Sequence, residues 1–126
     1  MKRIAVLMTV LFISLAAVWT CSKNDLTEQQ VFNIIKTDSM IAKNDDLALK
    51  SVSILSSTWM DDKFKALLQI DFFNDQDAFK WRKQGEKDFI PAGMEVSKGM
   101  NTVKVTAIFS ISYAGDGSWF IDQFIY

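Results

Sequence analysis

Residues 102–126 read TVKVTAIFSISYAGDGSWFIDQFIY. Val103, Val105, Ala107, Phe109, Ile111 and Tyr113 alternate with Thr102, Lys104, Thr106, Ser110 and Ser112. A period of two is that of a strand with one buried face. Ala114-Gly115-Asp116-Gly117 supplies the glycines that a tight hairpin turn needs. Trp119, Ile121 and Ile125 then alternate to the chain end. Phe120, Phe124 and Tyr126 make this last strand apolar on its other side as well. That pattern predicts a central strand, or one covered on its outer face.

The same period runs upstream. Phe64, Ala66, Leu68, Ile70 and Phe72 share one face, and Lys63, Lys65, Gln69 and Asp71 the other. Before them, Leu47 and Leu49 alternate in one phase and Val52 and Ile54 in the opposite one. The phase change predicts a bulge near Lys50-Ser51. Met60-Asp61-Asp62-Lys63 reads as a turn, so the two runs pair most simply as an antiparallel hairpin.

The helical signal lies further upstream. Thr27-Glu28-Gln29-Gln30 has the form of a capping box, and Asp25 with Glu28 is an alternative cap. Val31, Ile34, Ile35, Ile41 and Ala42 recur at helical spacing. This predicts a helix over 27–43, closed by Asn44. Between the two hairpins, Asn74 or Asp75 is placed to cap a short helix through Gln84, with Gly85 as its stop. Pro91, the sole proline, marks a loop or edge position. The order is helix, two strands, irregular middle, two strands. It predicts an α+β fold, with the helix on a curved antiparallel sheet of four or five strands. Element order and the ending Ser118-Trp119-Phe120-Ile121-Asp122 after a Gly-Asp-Gly turn resemble cystatin-like and NTF2-like domains. That likeness covers about 25 residues and brings no active-site motif with it.

The first 21 residues, MKRIAVLMTVLFISLAAVWTC, obey another logic. Lys2 and Arg3 precede an uncharged, mostly apolar run from Ile4 to Trp19. It has the length of a signal-peptide core and falls short of the ~20 residues of a spanning helix. Its end at the sole cysteine, Cys21, resembles bacterial lipoproteins, in which that cysteine is the lipidated first mature residue. Val18, Trp19 and Thr20 stand in the lipobox positions. The resemblance implies residues 1–20 as signal peptide, 21–26 as lipidated tether and 27–126 as one domain. Ser22 after the cysteine implies the outer membrane, facing the periplasm. Each buried acyl CH2 adds ~0.8 kcal/mol to such anchoring. An uncleaved N-terminal anchor and cleavage near Ala16-Ala17 are the alternative readings.

Composition narrows the chemistry. The 126 residues hold no histidine, which removes His-based general-base catalysis, Ser-His-Asp triads and His-ligated zinc. A single cysteine rules out an intrachain disulfide. Beyond residue 20 there are 12 Lys and Arg against 15 Asp and Glu, a net charge of −3. Nucleic acid, which calls for a basic patch, is not an expected partner. The remaining roughly 105 residues can bury one modest core.

Paired acids at 45–46, 61–62 and 75/77 sit at element boundaries and read as solvated caps. Asn74-Asp75 does not open a calcium-loop spacing, and no metal or cofactor is expected. Asp71 and Asp122 fall within strands, where burial could make a pocket acid. For Asp122, pairing with a lysine such as Lys104 is the plainer reading. Phe79-Lys80-Trp81-Arg82 interleaves aromatics with cations. It reads as a helix packed by its aromatics, or as a partner-binding surface through Phe79, Trp81 and Arg82. The expectation is a non-catalytic envelope lipoprotein, membrane-held through Cys21, that presents a protein-binding domain in assembly, inhibition or immunity. An NTF2-like pocket acting on a small molecule and a purely structural envelope domain are the alternatives.

Overall fold

A computed structural model describes residues 25–82, 85–111 and 118–126. The leader, Cys21 and the Ala114–Gly117 turn lie outside the described residues. The order is helix α1 (Glu28–Asp38), a 3-10 turn (Met40–Lys43), and strands β1 (Leu47–Met60), β2 (Lys63–Asn74), β3 (Phe79–Lys80), β4 (Glu95–Val96), β5 (Gly99–Ile111) and β6 (Trp119–Ile125). The fold is α+β. One helix packs on a four-stranded antiparallel sheet of order β1-β2-β5-β6, and β3-β4 forms a small second sheet. No helix among the described residues is long and apolar enough to cross a membrane.

Alternation decides the core. Phe64, Ala66, Leu68, Ile70 and Phe72 are all buried on the inner face of β2. Beside them Val103, Val105, Ala107 and Phe109 line β5, in register with Ile70, Leu68, Ala66 and Phe64. The β1–β2 hairpin turns at Asp61-Asp62, with Asp61 at φ 56°, a left-handed conformation that Asp tolerates better than most residues. The expected bulge is present between Leu49 and Ser51, and a second falls between Ile54 and Ser56.

α1 starts with the capping box. Gln30 N–H donates to Thr27 Oγ1, and Thr27 N–H donates to Gln30 Oε1 at 2.8 Å. Leu26 and Val31, at hydrophobic-staple positions, are both buried. The helix crosses the inner face from one sheet edge to the other. At its start Glu28 Oε2 accepts the Ile54 amide of β1 at 2.7 Å. At its end Asp38 Oδ2 accepts the Ile121 amide of β6 at 2.8 Å. Both exposed sheet edges are thus engaged by a helix carboxylate, which blunts edge-to-edge pairing.

The structure corrects three sequence expectations. The 27–43 helix breaks at Ser39, which is extended (φ −98°, ψ 177°). The buried Ser39 hydroxyl caps a fresh 3-10 turn by accepting from Ile41 N–H. Met40 and Ile41 still reach the core, so the periodicity outlives the helix. The short helix from 74 or 75 is absent among the described residues. Asn74 Oδ1 accepts the Gln76 amide as a helix cap would, but the chain then extends into β3. Phe79 and Trp81 are two apart, which is strand spacing. Finally, β6 is an edge strand. A register shift at Ile108/Phe109 brings Ile121 and Phe124 both into the core, three residues apart. That bulge, and not a central position, accounts for Phe124 on the core side, while Phe120 on the opposite face is half-buried with Lys87 Nζ 6.0 Å over its ring.

Candidate functional site

Residues 75–82 and 85–98 leave the sheet and fold back over its inner face beside α1. The excursion is rooted by two buried asparagines. Asn101 Oδ1 accepts from Ser97 N–H at 2.9 Å, and its Nδ2 donates to the carbonyls of Ser97 and Gly99. Asn74 Nδ2 also donates to Ser97 O. Further out, Phe89 is fully buried and meets Phe72 and Phe124 edge-on, at centroid distances of 5.5 and 6.1 Å. Ile90 and Val96 are fully buried too. The space beneath the excursion is therefore filled with side chains.

A groove of about 770 Å³ opens between the excursion and the end of α1. One wall is the Asp38–Asn44 segment, with Met40 as its apolar element. The opposite wall is Phe79-Lys80-Trp81-Arg82. Lys87 and Asp88 close one side. Phe79 and Trp81 lie 6.1 Å apart between ring centroids. Trp81 is only 9% exposed, Phe79 is half-buried against the core, and Lys80 and Arg82 are exposed. Trp81 Nε1 is buried without a hydrogen-bond partner among the described residues.

The two acids of the groove hold the fold together. Asp38 Oδ1 pairs with Lys87 Nζ at 2.7 Å, while its Oδ2 carries the β6 amide. Asp88 Oδ2 accepts from Gly85 N–H at 2.8 Å. The Tyr126 hydroxyl donates to the Asp88 carbonyl. Among the described residues Lys43, Lys80 and Arg82 have no ion-pair partner. The groove is apolar at its base and positive at its rim, on a domain that is otherwise acidic. Compared with known proteins, the chain matches no family model, no curated sequence and no solved structure.

Sequence reading drew attention to Phe79, Trp81 and Arg82, and all three line this groove. It missed the opposite wall, because nothing local to Asp38–Asn44 signals a site. Asp71 and Asp122 lie elsewhere. Asp71 is on the outer sheet face, in one row with Ser51 and Thr102. The hydroxyls of Thr102 and Ser51 donate to it at 2.5 and 2.7 Å. Those bonds, Thr102's first, hold its carboxyl below the usual value against a small opposing effect of burial. An acid so held is a poor proton acceptor at neutral pH. Asp122 pairs with a lysine as the plainer reading has it, but with Lys63 at 2.7 Å and not with Lys104. Both members of that pair are partly solvated.

Proposed function

We propose that this chain is a non-catalytic lipoprotein of the bacterial cell envelope, held to the membrane through Cys21. Its α+β domain presents the groove to a protein partner. The helix laid across an antiparallel sheet supports a cystatin-like arrangement. The observation that carries the reading is the groove itself. Two aromatic side chains line one wall and Met40 the other, with three cations that are unpaired among the described residues, while its two acids are bonded to the scaffold. This is the composition of a binding surface, with an apolar centre and a polar rim. The small-molecule alternative, with Asp71 or Asp122 as pocket acid, gains no support from residues that lie outside the groove.

Two experiments test the proposal. Metabolic labelling with a fatty acid should mark the wild-type protein and leave Cys21→Ala unmarked. An unlabelled wild type ends the lipoprotein reading. A photo-crosslinking residue at Arg82, in cells, should trap an envelope protein that the same residue at exposed Lys36 does not. Equal trapping at both positions, or none at either, removes the groove from the account.

A further inference from the structure

The groove meets β3 along its edge, and this fixes what kind of ligand fits. Phe79, Lys80, Trp81 and Arg82 are consecutive, and all four line it. In extended chain, successive side chains point to opposite faces. A groove touching all four therefore runs along the strand's edge. One edge is already used. Trp81 N–H donates to Met94 O at 2.9 Å, and Trp81 O accepts from Gly93 N–H at 2.7 Å. Phe79 pairs with Val96 on that same side. Main-chain groups alternate sides along an antiparallel ladder. Those of Lys80 consequently face the other edge, and neither Lys80 nor Arg82, just past the end of the ladder, makes a backbone hydrogen bond to another described residue.

Charge selects among extended ligands. Lys80 and Arg82 flank that open edge, and Lys43 stands on the facing wall. None of the three is ion-paired within the described residues. Glu95 stands opposite Lys80 in the ribbon without forming an ion pair. Of the remaining charges in the groove, Lys87 and Asp38 neutralise each other. The Asp88 carboxylate is bound to the Gly85 amide.

We propose that the open edge of β3 takes an extended acidic segment of a partner protein as an added strand. Its main chain bonds to Lys80 and Arg82. Its carboxylates meet Lys43, Lys80 and Arg82, and an apolar side chain between them rests on Phe79 and Met40. Main-chain bonds give such a complex its affinity, and the alternating side chains give its specificity. The inference rests on the protein-binding reading and adds the geometry and charge of what is bound.

The test selects a displayed library of random nine-residue peptides on the full-length protein in detergent micelles. Recovered peptides should carry acids at alternate positions. Synthetic copies should bind Lys80→Glu/Arg82→Glu about tenfold more weakly, the order expected when two exposed ion pairs become repulsions. Both side chains are exposed, so the variant should melt with the wild type. Methylating alternate peptide amides should abolish binding. Binding should also weaken as salt rises from about 0.1 to about 1 M, which shortens the screening length from ~10 to ~3 Å. Peptides without acid excess, peptides indifferent to the charge reversal or to methylation, or no enrichment at all would overturn the inference. A partner trapped in cells away from the groove would overturn it too, while leaving the lipoprotein reading intact. Loss of fatty-acid labelling with peptide binding retained would do the reverse.

Discussion

Two segments cover the inner face of the sheet, and they are held in opposite ways. α1 closes its hydrogen bonds within itself and caps its own first turn with Thr27 and Gln30. Among its described residues the excursion contains two residue pairs of regular ladder, Phe79–Val96 and Lys80–Glu95. It borrows its anchors from the sheet: Asn74 and Asn101 at its root, Phe72 and Phe124 beneath Phe89. The helix is a local structure that needs a surface. The excursion is a surface-dependent structure with little local preference. The groove lies between the two, so one wall depends on each.

The largest expected effect comes from the aromatic anchor. Phe89→Ala should cost ~3–5 kcal/mol, the usual range for a fully buried phenylalanine, by urea unfolding. Hydrogen exchange should then show the Trp81 and Gly93 amides losing protection before those of α1. Equal loss in both segments would show that they unfold together and would break the contrast.

Next in size is the polar root. Asn101→Ala strands Ser97 N–H and takes one donor from the Gly99 carbonyl, while Ser97 O keeps its bond from Asn74 Nδ2; the loss should cost ~1–3 kcal/mol. The excursion's amides should again respond most. On the helix side, Thr27→Ala removes the cap and should cost ~1 kcal/mol. Its effect should stay in the first turn of α1, and any opening of the groove's far wall would contradict the local character assigned to the helix.

The smallest effect belongs to neither cover. Asp71 sits on the outer face with its carboxyl lowered in the fold, so its contribution is present above the unfolded value near 4 and is lost as pH falls below it. Acid titration of stability should therefore be slightly steeper below about pH 4 for wild type than for Asp71→Asn. Exchange in the excursion should be unchanged by that substitution at pH 7. A shift there would connect the outer face to the groove, against the geometry.

Legibility in the sequence divides along the same line. The β1–β2 hairpin, its bulge, the buried faces of β2 and β5 and the start of α1 were legible because each is written within a few residues as period or cap. Ser39 was not legible as a break, since Met40 and Ile41 keep the apolar spacing on the far side of it. Asn74 displayed a real capping bond, and only the pairing of Phe79 and Lys80 with Glu95 and Val96 made the residues beyond it a strand. One wall of the groove, Phe79–Arg82, stood out by its alternating aromatics and cations. The wall at Asp38–Asn44 did not, because it adjoins the first only in three dimensions.

The sequence by itself determined the element order, the antiparallel hairpin, the α+β class and the absence of histidine chemistry. These depend on periodicity, turn residues and composition, all of which are local. Tertiary structure alone decided that β6 lies at the edge, that the middle segment is a pinned excursion, and that a positive groove forms beside α1. Those outcomes depend on which distant side chains share one buried face and which backbone groups find partners across it, and no window of consecutive residues contains that information.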